Sequence, residues 1–387
     1  MNHLIYLDNS STTFPKPEEV HEFMGQFYRT HGVNPGRSGY SLAVEAEAMV
    51  NETRKRLTEF FNGEAPDHLV FTYNATDSLN MIINGILKLD DHIITTTLEH
   101  NSVLRPIYHL VMAGMVKADY IPFDEAGYIH PEEVLKKIKR NTKLVVVNHG
   151  SNVIGTVQPI KELGALCREK GIVFAIDASQ TAGVVPIDVK EMNIDVVAFT
   201  GHKSLLGPTG IGGLYVRPGI TITPTRVGGT GIRSADRWHP EEYPYRLEAG
   251  TINVLGVAGL LAAQKWLAKV GLANIHQREM ELWKRLRDGL ETIDGVTLYC
   301  ADSVTNHIPV LSCNISGYKP GDTGKILSED YHIATRTGLH CAPLVHQQLE
   351  TDKIKGTVRF SIGPFNTTDH IDAAVEAIRE IAKKRRS

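Results

Sequence analysis

The chain has 387 residues, 42% hydrophobic and 22% charged, which is ordinary for a globular protein with room for two domains and a sizeable core. Its 41 Lys and Arg against 44 Asp and Glu leave a formal net charge of −3, so bulk electrostatics do not favour nucleic acid. No apolar run approaches the ~18 residues of a membrane span. The four cysteines, Cys167, Cys300, Cys313 and Cys341, lack paired or zinc-type spacing. That usage suits a reducing compartment, so a cytoplasmic chain is expected, with no disulfide framework, metal site or signal peptide.

Residues 4–7 read as a short strand ending in the polar turn Asp8-Asn9-Ser10-Ser11-Thr12-Thr13. A helix is expected over 18–29, a Gly- and Asn-rich loop over 30–40, and a helix over 42–61 with Ser41 as its N-cap. From residue 69 onward strands (69–72, 92–95, 116–121, 144–148) alternate with helices (77–87, 102–113, 131–138, 160–170). The apolar runs 173–176 and 196–199 continue the series. Such alternation predicts an α/β fold with a largely parallel sheet covered by helices on both faces. After Thr251 the pattern changes to two helices, 254–270 and 273–293, then segments 310–315, 324–331, 333–336 and 357–361 and a helix over 368–384. That half reads as a smaller α+β domain. The expected division is 15–255 for the large domain, with 1–14 and 256–387 forming the small one. The basic run Lys383-Lys384-Arg385-Arg386 reads as a solvated helix end whose cations favour the helix dipole.

The stretch 173–213 carries the densest chemistry. Its first apolar run stops at Asp177 and Gln180, and its second at Thr200, His202 and Lys203. Carboxyl ends of neighbouring strands in an open α/β sheet converge on one crevice. A carboxylate, an amide, a hydroxyl, an imidazole and an amine meeting there fit a pyridoxal 5'-phosphate (PLP) site. The amine forms a Schiff base with the cofactor aldehyde, and the carboxylate keeps the pyridine nitrogen protonated so that the ring withdraws electrons. A lone lysine is ordinarily a solvated surface charge; its neighbours single out Lys203. Gly207, Gly210 and Gly212 do not form a nucleotide loop. His202 stands where a P-loop needs glycine, and the apolar run 214–216 replaces the helix that a dinucleotide fingerprint opens. They read as a turn returning to the sheet, which disfavours an NAD-dependent dehydrogenase.

Other strand ends add small polar sets. Tyr73-Asn74-Ala75-Thr76-Asp77 joins a strand to a helix, where backbone N–H groups and the Thr76 hydroxyl suit a phosphate; a plain N-cap at Thr76 is the ordinary alternative. In Leu98-Glu99-His100-Asn101, His100 is placed to stack on a ring or shuttle protons. In Ser151-Asn152-Val153-Ile154-Gly155, Asn152 can donate to a ring hydroxyl or a substrate carboxylate, or simply shape a turn. Glu248-Ala249-Gly250-Thr251 precedes a helix start and offers another phosphate donor. In Arg336-Thr337-Gly338-Leu339-His340-Cys341-Ala342-Pro343, a cysteine beside Arg and His on a Gly- and Pro-bounded loop reads as a reactive thiol rather than core filler. Arg359, in the alternating strand 357–362, offers a guanidinium fork to a carboxylate or lies on a wet face.

Together these motifs resemble the class V aminotransferase-like PLP enzymes, and among them the cysteine desulfurases, from Tyr6-Leu7-Asp8-Asn9-Ser10 to Arg359-Phe360-Ser361. The most specific pieces are Asp177-Ala178-Ser179-Gln180, Thr200-Gly201-His202-Lys203, the glycine turn 207–212, Glu248-Ala249-Gly250-Thr251 and Arg336 to Cys341. The resemblance implies a PLP-dependent transferase fold of type I, with a mostly parallel seven-stranded sheet in the large domain and a smaller α+β C-terminal domain. It implies that Lys203 forms the Schiff base and moves protons at the substrate carbons. Asp177 would pair with the ring nitrogen, Gln180 would bond the ring oxygen and His100 would stack on the ring. Ala75, Thr76, Thr200 and His202 would hold the phosphate, with Thr251 reaching in from the second subunit of a homodimer. Asn152, Arg336 and Arg359 would take the substrate carboxylate. Cys341 would attack the sulfur of L-cysteine, releasing alanine, and pass its persulfide sulfur to an acceptor protein that serves iron–sulfur clusters or other thio-cofactors.

The chain departs from the pattern at Asn101, where many members carry a second histidine, and in a longer segment after Cys341. Both bear on substrate and acceptor. A selenocysteine lyase would use the same site, a class V aminotransferase or epimerase would not need Cys341, and a binding-only protein would be expected to lack Lys203 or Asp177.

Overall fold

The computed structural model describes residues 4–36, 39–300, 302 and 305–384. Arg37 and Ser38 of the expected loop, and Arg385 and Arg386 of the expected basic tail, lie outside the described residues. In chain order the first strands are β1 (Ile5–Tyr6), β2 (Leu69–Thr72), β3 (Asp91–Thr96), β4 (Val116–Ile121), β5 (Thr142–Asn148), β6 (Val173–Asp177), β7 (Val196–Thr200) and β8 (Gly212–Val216). Those from β2 to β8 form a seven-stranded sheet in the order β2-β8-β7-β6-β5-β3-β4. Only β8 runs against its neighbours.

The inner strands have apolar runs without polar alternation because both faces are covered. Along β5, β6 and β7 successive side chains go to opposite cores, as a period of two requires. Val145, Val147, Phe174, Ile176, Val197 and Phe199 enter one cluster, with side chains from the helices Ser41–Phe60 and Val254–Val270. Leu144, Val146, Ala175, Val196 and Ala198 enter the other, with the helices Ala75–Ile86 and Asn101–Met112.

The second half adds β9 (Val296–Leu298), β10 (Val310–Ile315), β11 (Ile333–Ala334), β12 (Arg336–Gly338) and β13 (Thr357–Ser361). An antiparallel sheet of order β12-β13-β10-β9 packs with the helices Leu272–Glu291, Pro320–Tyr331 and Thr368–Lys383 around Trp283, Leu286, Phe360 and Ile378. β1 returns to this half by pairing with β11. The expected single segment 333–336 is therefore two strands in two sheets, and β9 had no signal in the sequence. Ser41 opens its helix but does not cap it, since Tyr40 holds the cap position with no side-chain bond. Among the described residues no single helix is long and apolar enough to cross a membrane. The bent pair Val254–Val270 and Leu272–Glu291 has the length and composition, but much of the first helix is buried in the core.

Candidate active site

The carboxyl ends of β2, β5, β6 and β7, with the turn that follows β3, open into one cavity of about 220 Å³. Ala75, Thr76, His100, Asn152, Asp177, Gln180, Thr200, His202, Lys203, Arg336 and Arg359 all line it. Cys341 joins them through Arg336, whose Nη2 donates to the Cys341 Sγ at 3.3 Å. Thr251 does not reach the cavity and is exposed.

The helix after β2 begins at Ala75, two residues earlier than the sequence suggests, because Asn74 is its cap: the Asp77 N–H donates to Asn74 Oδ1 at 3.0 Å. Thr76 is thus not the cap, and it lines the cavity at the helix N-terminus. Gly212 permits this arrangement, since a Cβ there would lie 2.8 Å from both Asn74 Cα and Phe199 O. Near that helix start Thr200 Oγ1 and His202 Nδ1 are buried with no hydrogen-bond partner among the described residues. Burial, then the charges of Lys203 and Lys16, push His202 down to about 4, so its ring is neutral near pH 7.

Asp177 ends β6 in register with Asn148 of β5. Ser179 donates to its Oδ1 from both N and Oγ. The Lys203 amine follows β7 and is pushed down to about 8 by burial, with Asp177 opposing and Arg359 and Arg336 adding to the shift. An amine near neutrality exchanges protons readily at pH 7. Burial foremost, with Lys203 next, pushes His100 down to about 4. The Ser102 N–H donates to His100 Nδ1 at 3.1 Å, so the neutral ring carries its proton on Nε2.

Arg359 is 1% exposed rather than on a wet face. Its Nη1 donates to the Asn152 carbonyl at 3.0 Å, and Nη2 to Asp8 Oδ1 at 2.8 Å and Ser11 Oγ at 3.0 Å. Arg336 lies directly opposite in the β12–β13 pair. Asp8 pairs with Arg359, while Arg336 Nη1 donates to Ser11 Oγ at 3.3 Å. The two neighbouring guanidinium groups thus bring more positive charge than that one carboxylate balances, which suits a bound carboxylate. His340 does not flank the thiol as the sequence suggests. Its ring is buried and held neutral by burial, and its Nε2 bonds Thr357 O and Oγ1.

A family model described as aminotransferase class-V matches residues 5–374. A probable cysteine desulfurase of Pyrococcus abyssi is 36% identical over 392 residues, covering 99% of this chain and 96% of the relative. Another, of Methanothermobacter thermautotrophicus, is 34% identical over 383 residues, covering 98% and 94%. An apo structure of a cysteine desulfurase from Thermococcus onnurineus NA1 aligns with a TM-score of 0.93 at 35% identity, covering 99% of this chain and 96% of that one.

The chain belongs to the class V aminotransferase family.

That class V family depends on PLP and has the type I fold, in keeping with the sheet order seen here. The residues present fit the cofactor. Thr200 Oγ1 and His202 Nδ1, buried near a helix N-terminus and partnerless among the described residues, suit its phosphate, and Asp177 and Lys203 line the same cavity. The cavity also holds residues that the sequence did not single out. Ser10 and Ser11 come from the polar turn after β1, whose strand-end position was the available signal. Thr13 N–H, Thr12 Oγ1 and Lys16 Nζ all donate to the His202 carbonyl, bracing the peptide just before Lys203.

Glu99 was not singled out either. It is fully buried and accepts from Thr96 Oγ1 at 2.7 Å and Asn148 N at 2.9 Å through Oε1, while Oε2 has no partner among the described residues. Burial pushes its carboxyl up to about 8 from 4.5, so the folded state holds a proton that the unfolded state releases. Its contribution to stability is full below pH 4.5 and is lost as pH rises toward 8, at about 1.4 kcal/mol per pH unit. Glu99→Gln keeps the shape without the titration. The variant is expected to match wild type in urea midpoint at pH 5 and exceed it at pH 8; parallel pH profiles would show that Glu99 is ionised in the fold.

Proposed function

We propose that this chain is a PLP-dependent cysteine desulfurase that converts L-cysteine to L-alanine and passes the sulfur on through Cys341. The observation that carries this reading is a thiol in contact with Arg336 at a cavity that also holds Lys203 and Asp177. When bound, PLP supplies an electron-withdrawing ring that stabilises negative charge at the substrate Cα.

The chain's own residues do the rest. Ala75 and Thr76 at the helix start, with Thr200 and His202, hold the phosphate. Asp177 would pair with the ring nitrogen, Gln180 would bond the ring oxygen, and His100 would stack on the ring. Lys203 anchors the cofactor, takes the Cα proton and returns a proton to Cβ. Arg359, Arg336 and Asn152 take the substrate carboxylate. Cys341 Sγ attacks the substrate sulfur: an S–S bond forms, the Cβ–S bond breaks, and its electron pair leaves with Cβ, which is protonated to give alanine. The sulfane sulfur on Cys341 then goes to an acceptor thiol.

Several finer statements belong to the same reading. Thr251 enters the phosphate site of a second subunit; its exposure in the single chain, together with exposed Val227 (70%) and Trp238 (89%), supports a homodimer. The two-domain division is retained with one change: the helix Val254–Val270 goes with the large domain, because its side chains pack in that core. A cytoplasmic setting, an acceptor protein, and no nucleic-acid or membrane partner complete it. The test is conversion of L-cysteine with a reductant present. Wild type releases alanine and sulfide in equal amounts, and Lys203→Ala releases neither and loses the visible absorbance of the bound cofactor. Absorbance that persists in Lys203→Ala excludes that lysine, and no sulfide from wild type excludes the reaction.

A further inference from the structure

His340 and Cys341 are consecutive non-glycine residues with φ of +48° and +61°. Left-handed backbone at two such residues in a row is costly and persists only where the surroundings hold it. The His340 ring is fastened to Thr357, the Asn101 N–H donates to the Cys341 carbonyl at 2.7 Å, and the Ala342 N–H closes the turn on Leu339 O at 2.9 Å. The remaining bond comes from across the cavity: Asn152 Nδ2 donates to the His340 carbonyl at 2.8 Å. Asn152 is 4% exposed, and its own carbonyl accepts from Arg359, so the clasp is rigid at its base.

We propose that Asn152 is a positioning residue for the nucleophile: its amide clasps the His340 carbonyl and fixes the left-handed turn that sets Cys341 Sγ against Arg336. This rests on the desulfurase reading and adds to a carboxylate contact, since one N–H of the amide bonds His340 and the second remains for the substrate. Asn152→Ala removes the donor. Asn152→Asp keeps the size but presents only acceptors to a carbonyl.

Two readouts test it. In the cofactor-free protein, amide hydrogen exchange across 337–345 is expected to quicken about tenfold in either variant, with β6 unchanged. In the holoenzyme, sulfide release at saturating L-cysteine is expected to fall about 30- to 100-fold, the effect of a misplaced reacting atom. Exchange of the L-alanine Cα proton for deuterium at saturating L-alanine, which needs Lys203 and the same carboxylate contact but not Cys341, reports the loss both reactions share and is expected to fall at least about tenfold less than sulfide release. Equal losses in both reactions, or unchanged hydrogen exchange across 337–345, overturn the proposal. Failure of wild type to release sulfide overturns the desulfurase reading instead, and leaves the exchange measurement on the turn to stand alone.

Discussion

Cys341→Ala is expected to abolish release of sulfide and alanine from L-cysteine, by about 10³-fold or more, the scale of removing a nucleophile from an otherwise intact site. The substitution deletes one atom that contacts Arg336 and leaves the backbone bonds of the turn in place. The cavity residues around Lys203 keep their own partners: Ser179 on Asp177, Ser102 on His100, and the N-terminal turn on His202. The variant should therefore bind PLP and still exchange the Cα proton of L-alanine. A product assay paired with that exchange separates the two halves of the reaction. If Cys341→Ala releases sulfide as fast as wild type, the site serves an amino-acid reaction that never uses the thiol.

Arg359→Met is expected to lower stability by about 3–5 kcal/mol, the range for breaking a buried ion pair by removing one partner. The side chain is 1% exposed, and its loss leaves the Asn152 carbonyl unpaired and Asp8 with only small polar neighbours. Asp8 is about one-fifth exposed, so water compensates part of the loss and the lower end of that range is expected. Adding Asp8→Asn removes the orphaned charge and should restore much of the stability. It should not restore substrate binding, because the guanidinium fork that receives the carboxylate is still missing. Urea unfolding of the single and double variants, with L-alanine titration of each, distinguishes brace from ligand. A single variant that unfolds like wild type removes the brace.

The parallel sheet was legible because its inner strands are uninterrupted apolar runs separated by helices of ordinary length, as in β5, β6 and β7. These cavity residues were legible because each follows such a run directly, and a strand end has only one crevice to face. Asp177, Thr200, His202 and Lys203 are local in this sense: a few residues of sequence fix both their identity and their place.

Other features depended on residues far apart in the chain. That Arg359 is buried follows from partners 207, 348 and 351 residues away at Asn152, Ser11 and Asp8, which no periodicity encodes. His340 reads as a neighbour of Cys341 in sequence, yet the left-handed turn sends its ring to Thr357. Glu99 reads as an ordinary charged residue of a turn until the ends of β3 and β5 enclose it and leave one oxygen without a partner among the described residues.

By itself the sequence determined the layered α/β class, the lysine–aspartate pair and the thiol, because each is set by residue type and short spacing. Only the tertiary structure decided which groups are desolvated and which are braced. Those properties come from contacts across the cavity between two halves of the chain, and desolvation there sets the Lys203 amine near neutrality and keeps the His100 ring neutral.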